Sequence, residues 1–200
     1  MKLFLHVGHG KTGSSFLQSW LALNSPDLLS RHGLLYPQIC PLSGEQDERA
    51  HEGFFSMGNG YVLDPLLDKD YSLHKQRRWW RSLKKQSRLK PEGLNGLVFS
   101  CEPWARQLPD RLSQLLSFAD DLGIDGIELW LLVRDPLDHA ISLYGQMVKR
   151  HGFTGSVEDW LTIYNFPEVL NQFIKAIGDY PDHLTLRVDH YGREQLHLLP

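Results

Sequence analysis

A short glycine-containing segment near the start of the chain carries the residue types that bind phosphate. Lys11 stands among Gly8, Gly10 and Gly13 in the run GHGKTGSS over residues 8–15. Glycines let backbone N–H groups approach an anion without a Cβ in the way, and lysine supplies a full positive charge. An apolar run precedes the segment and a helix-like pattern follows it, so a helix N-terminus adds partial positive charge. We therefore expect this loop to hold a phosphate or sulfate ester.

The spacing of this loop differs from that of nucleoside triphosphatases. Their signature requires a glycine five residues before the Gly-Lys pair, and that position here is Leu5, inside the predicted strand. The interpretation as an ATP or GTP loop is weakened by this difference. A small-molecule kinase stays as an alternative, and it would need an acidic Mg²⁺ ligand at a strand end, for which Asp135 is the candidate.

A second motif follows a buried strand predicted over residues 127–133. Arg134, Asp135 and Pro136 come directly after that strand, and Ser142 lies about two turns into the helix that Pro136 begins. Ligands bind at the carboxyl edge of an open α/β sheet. An arginine fork and a hydroxyl at that edge can clamp a second phosphate.

Both motifs resemble elements of the sulfotransferases that use 3'-phosphoadenosine 5'-phosphosulfate (PAPS). The run KTGSS at residues 11–15 is similar to their Lys-Thr-Gly-Thr-Thr loop, and Arg-Asp-Pro followed by Ser-x-Tyr is similar to their 3'-phosphate element. The resemblance implies PAPS as donor, 3',5'-bisphosphoadenosine (PAP) as product, and no required metal. It implies that the 5'-phosphosulfate is held by Gly10, Lys11, Thr12, Gly13, Ser14 and Ser15. It assigns the 3'-phosphate to Arg134 and Ser142.

Sulfuryl transfer also needs a base for the acceptor proton and a positive group at the leaving 5'-phosphate. Lys11 is predicted to fill the second role. Glucosaminyl sulfotransferases carry a catalytic Glu three residues before a Phe-Phe pair, and His51 has that place here. Histidine accepts protons near neutral pH, so His51 is the first candidate for the base, with Glu52 and Glu102 in reserve. His6 and His9 flank the loop, and we expect them to serve packing and loop shape.

The elements that must position these residues alternate between strand and helix. Strands are predicted near residues 2–7, 97–100, 127–133 and 183–188, and helices near 15–23, 73–88, 109–122, 137–150 and 157–176. This order predicts an α/β fold of three layers, with a mainly parallel sheet flanked by helices. The resemblance implies a P-loop-like sulfotransferase domain over residues 1–200. The family's late Gly-rich basic loop is not recognisable before Pro200, so either a C-terminal portion is missing or that role is filled differently.

The composition and charge of the chain indicate which kinds of binding partner to expect. The chain is 42% hydrophobic with a formal charge of -3, and its cysteines, Cys40 and Cys101, have neither metal nor disulfide-framework spacing. No signal peptide or membrane span is predicted, so we expect a cytoplasmic protein. Residues 75–90 hold eight basic side chains and no acid. This run is either a solvated helix face or a surface that attracts an anionic acceptor, whereas nucleic acid is not expected.

Three functions therefore stay open at this point. The first is a PAPS-dependent sulfotransferase acting on a hydroxyl or amine of a small-molecule or glycan acceptor. The second is the P-loop small-molecule kinase. The third is a non-catalytic domain that binds PAP or an anionic glycan.

Overall fold

The structure is a computed structural model that describes residues 1–38, 52, 58–67, 74, 77–78, 81–82 and 93–191. Its strands are β1 (Lys2–Val7), β2 (Leu34–Leu35), β3 (Gly96–Cys101), β4 (Gly126–Arg134) and β5 (Leu184–Tyr191). Its helices are α1 (Ser14–Leu23), α2 (Ser25–His32), α3 (Trp104–Gln107), α4 (Leu112–Asp121), α5 (Pro136–His151), α6 (Val157–Ile163) and α7 (Phe166–Gly178). Two 3₁₀ segments, Gly60–Leu67 and Leu108–Arg111, also lie within the described residues.

The five strands form one parallel sheet in the order β2-β3-β1-β4-β5. Val7 at the end of β1 is paired with Cys101 on β3 and Leu131 on β4. The chain leaves β1 toward β3 on one side and reaches β4 on the other, so the direction of winding reverses at β1. A crevice opens at the carboxyl edge of a sheet where this reversal occurs. The loops after β1, β3 and β4 therefore meet there.

Apolar side chains cover both faces of the sheet. Leu3, Leu5 and Val7 point to one face, where the larger core cluster joins β1, β3 and β4 to α3, α4 and α7. On the other face, Leu17 and Leu21 of α1 pack against Val98 and Leu132. A strand that is buried on both faces loses the alternation of polar and apolar residues, which is why these strands read as continuous apolar runs. The predicted α/β class and its three layers are confirmed.

Asn59 fixes the segment that crosses the end of β3. Its side-chain amide donates to the carbonyls of Pro37 at 3.0 Å and Val98 at 3.2 Å, and its Oδ1 accepts from the Ser100 N–H at 2.9 Å. The preceding Gly58 has φ 81°, and a Cβ there would lie 2.3 Å from the Ser100 carbonyl oxygen. Only glycine permits this close approach, which holds the carboxyl end of β3 in place.

Predicted and observed elements differ mainly at the helices. The helix expected over residues 157–176 is two helices, because Tyr164 is extended (ψ 105°) and α7 starts afresh with Pro167 in its first turn. The helix expected over 109–122 begins only at Leu112, because Leu108–Arg111 is a 3₁₀ segment. The short helix α3 and the helix α2 were not predicted. Most of the helix expected over 73–88 lies outside the described residues, although 74, 77–78 and 81–82 are helical. Within the described parts of the chain, none of the helices combines the length and apolarity needed to span a bilayer.

Candidate active site

The loop between β1 and α1 is held by side chains that bind three consecutive backbone carbonyls. Thr12 Oγ1 donates to the His9 carbonyl at 2.8 Å, and His139 Nε2 donates to the Gly10 carbonyl at 2.8 Å. The Arg134 guanidinium donates to the Lys11 carbonyl at 3.3 Å. One donor belongs to the loop itself, one to α5 and one to the end of β4. The loop is therefore held both by its own side chain and by the β4–α5 segment.

These bonds also orient the N–H groups of the loop. In a trans peptide the N–H points away from the carbonyl, so the bond from His139 directs the Lys11 N–H away from α5. Lys11 has φ 75° and Gly13 has φ 85°, both in the left-handed region. Left-handed residues within a turn curl successive N–H groups into a concave anion site. Lys11 is exposed at this concavity, and the arrangement is suited to a phosphate or sulfate group.

Buried polar side chains lie next to the loop, at the ends of β1 and β3 and within the loop itself. His6 is 1% exposed, and its Nδ1 lies 2.7 Å from Ser100 Oγ. Thr12 Oγ1 and Ser14 Oγ are 3.2 Å apart. Burial lowers the pKa of His6 from 6.5 to about 4, so its imidazole is neutral near pH 7. The expected role of His6 in packing matches this position.

The neutral state of His6 predicts a loss of stability in acid. Between pH 6.5 and about 4 the unfolded chain protonates this imidazole and the folded chain does not. The free energy of unfolding should therefore fall as the pH drops through that window, by about 3 kcal/mol from His6 alone. Urea unfolding at a series of pH values measures the loss. His6→Gln should reduce it, and an equal loss in the variant would show that His6 is not responsible.

Glu102 directly follows β3 and lies beside the loop. Its carboxylate accepts a hydrogen bond from the Ser14 hydroxyl and is close to the charge of Lys11. Its Oε2 is 3.8 Å from the point that a Cβ on Gly10 would occupy. Burial raises the pKa of Glu102 above its usual value, and the Ser14 bond and the Lys11 charge oppose that effect in part. A carboxylate with a raised pKa is suited to accept a proton nearer neutral pH.

A cavity of about 450 Å³ opens beside Glu102 and the loop. Helices α3, α5 and α6 and the start of α7 close it. Its lining consists of Gly8, His9, Gly10, Glu102, Pro103, Arg106, Gln107, His139, Leu143, Trp160, Ile163, Tyr164, Asn165 and Phe166. The cavity is large enough for a small molecule, and one such molecule would touch both the backbone of the loop and the Glu102 carboxylate.

His139 joins the loop to the aromatic wall of this cavity. Because its Nε2 donates to Gly10, its Nδ1 is the acceptor and receives the Tyr164 hydroxyl at 2.7 Å. Burial lowers the pKa of His139, the Gly10 bond opposes this, and the charge of Arg134 adds to it. Burial, with the Asp135 charge, raises the pKa of Tyr164 to about 12. The pair is therefore neutral at pH 7 and acts as a fixed hydrogen-bond link.

His9 packs at the inner end of the same wall. Its ring meets Phe166 edge-on with centroids 3.6 Å apart. Burial lowers its pKa to about 3, and the charges of His139 and Arg106 contribute. A neutral, packed ring agrees with the expected role in loop shape.

The second motif places Arg134 at the loop and Asp135 at the start of α5. Asp135 Oδ1 accepts from the N–H groups of Leu137 at 2.9 Å and Asp138 at 3.1 Å, so it caps the helix. Ser142 is half-buried on α5, and within the described part of the chain no hydrogen bond is found between it and Arg134. Among the residues that the structure describes, no further hydrogen bond or ion pair is found for the Arg134 guanidinium.

The predicted site residues are therefore brought together in part. Contacts at one sheet edge join the loop to Glu102 and Arg134, and Ser15 is exposed in the first turn of α1. His51 and Cys40 lie outside the described residues, Glu52 is an exposed turn residue, and Cys101 is a half-buried residue at the end of β3. The sequence analysis missed His139, Tyr164 and Arg106. Among the described residues no cluster of three or more His, Cys, Asp or Glu side chains could hold a metal ion.

Comparisons with known proteins give distant likenesses. No family model and no curated protein matches the chain. A solved sulfotransferase from Alicyclobacillus acidocaldarius is 14% identical with a TM-score of 0.45, over 92% of this chain and 72% of that one. The sulfotransferase domain from the curacin biosynthetic pathway has the same identity and TM-score, over 96% and 68%. A retinol dehydratase in complex with androsterone and inactive cofactor PAP is 14% identical with a TM-score of 0.32, over 93% and 53%.

Proposed function

We propose that this protein is a sulfotransferase that moves a sulfuryl group from PAPS to a hydroxyl of a small acceptor. The main support for the proposal is that the phosphate-binding loop and the cavity adjoin each other at Gly10. The concave loop with Lys11 is suited to an anion, and the Glu102 carboxylate is close to both that loop and the cavity. Group transfer is favoured when a donor and an acceptor are held side by side in this way.

The donor is assigned to the loop and to the end of β4. Lys11 and the N–H groups of residues 10–15 hold the 5'-phosphosulfate. The free donors of Arg134, with the Ser142 hydroxyl, take the 3'-phosphate. Arg134 already reaches the Lys11 carbonyl at 3.3 Å, so both phosphate-binding elements share one rigid edge.

The reaction then runs as an in-line displacement at sulfur. Glu102 accepts the proton of the acceptor hydroxyl, and the acceptor oxygen forms a bond to sulfur. The bond between sulfur and the 5'-phosphate oxygen breaks, and Lys11 stabilises the charge that develops on this oxygen. The products are the sulfated acceptor and PAP, with the proton on Glu102 until solvent removes it. The positive charge comes from the protein, so the proposed mechanism uses no metal.

Glu102 is the base in this proposal because of its position. It lines the cavity, bonds Ser14 and has a raised pKa. His51, the first candidate from the sequence, stays a prediction outside the described residues. A single domain over residues 1–200 and a cytoplasmic location also stay predictions.

Ligand-dependent stability separates the three candidate functions. A thermal-shift experiment compares PAP without Mg²⁺ against ATP with Mg²⁺, since a ligand that binds only the folded chain raises its unfolding temperature. We expect PAP alone to stabilise the protein. Stabilisation by ATP and Mg²⁺ only would support the kinase. PAP binding without sulfuryl transfer to any acceptor would support the non-catalytic domain.

The 3'-phosphate assignment gives a separate prediction. Arg134→Ala and Ser142→Ala should weaken PAP binding much more than binding of adenosine 5'-monophosphate, which lacks that phosphate. Loss of a charge-assisted bond from Arg134 costs roughly 1.5–3 kcal/mol, or about tenfold to a hundredfold in Kd. Calorimetry with both nucleotides measures the difference, and Arg150→Ala at the exposed end of α5 is the control. Equal losses for the two nucleotides would contradict the assignment.

A further inference from the structure

Arg106 gives the cavity a positive charge that no described residue neutralises. It lines the cavity on α3, and its charge is felt at His9. No carboxylate of the described residues lies within ion-pair distance of it. The acid one turn earlier, Glu102, bonds Ser14 instead. A cation beside a ligand cavity, without an ion-pair partner among the described residues, is complementary to an anionic group on the ligand.

Aromatic rings that are tilted relative to one another form another part of the cavity lining. Trp160 Nε1 donates to the Ala140 carbonyl at 2.9 Å, and the Tyr164 hydroxyl bonds His139. The centroid of the Tyr164 ring lies 6.3 Å from that of Trp160 and 6.0 Å from that of Phe166. Because the polar tips of Trp160 and Tyr164 are already bonded, the rings offer their apolar surface to the ligand. Such a lining favours a ligand with an aromatic, largely apolar body.

The positions of the two charged groups set a further condition. Glu102 is a turn residue before α3, and Arg106 lies four residues later within α3, where its N–H bonds the Pro103 carbonyl. Both side chains line the cavity. A ligand hydroxyl at Glu102 and an anion at Arg106 would therefore occupy separate parts of it.

We propose that Arg106 selects acceptors that carry a carboxylate on an aromatic body, at a position distant from the hydroxyl that is sulfated. This inference rests on the proposed function, because it takes the Glu102 end of the cavity as the reacting end. Arg106 binds the carboxylate through its guanidinium, and the rings of Trp160, Tyr164 and Phe166 cover the body of the acceptor. The hydroxyl is thereby turned toward Glu102.

Three probes of related shape test the proposal, with binding measured in the presence of PAP and sulfuryl transfer measured with PAPS as donor. They are 4-hydroxyphenylacetate, its uncharged methyl ester, and 2-hydroxyphenylacetate, in which hydroxyl and carboxylate are too close to reach both residues. We expect 4-hydroxyphenylacetate to bind and react best in the wild type, with Kd lower than that of the ester by roughly tenfold or more. Arg106→Gln should abolish this preference, Arg106→Lys should keep part of it, and Arg150→Gln should leave it unchanged.

Several results would overturn the proposal. They are equal binding of the acid and the ester, binding of neither probe, or a preference that survives in Arg106→Gln. Weaker PAP binding in Arg106→Gln, with unchanged acceptor preference, would assign Arg106 to the donor. In each case PAP binding and sulfuryl transfer to another acceptor would leave the proposed function standing. Loss of PAP binding by the wild type would instead overturn the proposed function.

Discussion

Replacement of Glu102 by Gln is expected to lower sulfuryl transfer by roughly 10²- to 10⁴-fold, the range for loss of a general base. The amide keeps the shape of the side chain and its bond to Ser14 but cannot accept the acceptor proton. PAP affinity should change little, because Glu102 faces the cavity. In the wild type the rate should fall in acid as Glu102 is protonated. Since burial raises the pKa of Glu102, this fall should begin above the usual range of a carboxyl group.

The control for this experiment is Glu168→Gln, at an exposed carboxylate on α7. Turnover is measured as PAP released from PAPS in the presence of an acceptor. Wild-type turnover in Glu102→Gln, together with a large loss in His51→Ala, would transfer the role of base to His51. A loss of PAP binding in Glu102→Gln would show that the residue supports the donor loop instead.

Lys11→Ala should remove most turnover, by about 10²-fold or more, while the fold stays intact. The side chain is exposed, so its removal leaves no cavity in the core. What is lost is the charge that stabilises the leaving 5'-phosphate oxygen. Turnover, PAP affinity and the unfolding temperature are measured together, with Lys149→Ala on α5 as control. A variant with near wild-type turnover would show that this loop is not the phosphosulfate site.

The sheet could be predicted from the sequence because its strands are buried on both faces. Their apolar runs end in glycine, proline or charged residues, and β1, β3 and β4 were predicted to within one residue at each end. The break between α6 and α7 could not be predicted in the same way. Apolar spacing continues through Tyr164, and the extended backbone there is held by tertiary contacts, among them the bond from its hydroxyl to His139.

The site was predictable where it follows strands. Lys11, Glu102 and Arg134 come after β1, β3 and β4, and parallel strands bring their carboxyl ends to one edge. His139 was not predictable, because its partner is a carbonyl 129 residues earlier in the chain. The cavity wall depends on the angle between α5 and α6, and the local sequence pattern does not encode this angle. The sequence offered only a histidine about one turn before Ser142, on the helix that follows Arg134, Asp135 and Pro136.

The left-handed backbone of Lys11 has a consequence for how this loop can vary. Glycine adopts φ 75° without steric cost, whereas a side chain at such an angle costs about 1 kcal/mol. Lys11 therefore adopts a backbone conformation that glycine would adopt more easily. The hydrogen bonds to the carbonyls of Gly10 and Lys11 hold it in this conformation. At position 11, the residue that places a positive charge in the loop is therefore not the residue that would make the fold most stable. Selection for stability alone would favour glycine at position 11, so a lysine there marks a position where charge outweighs stability.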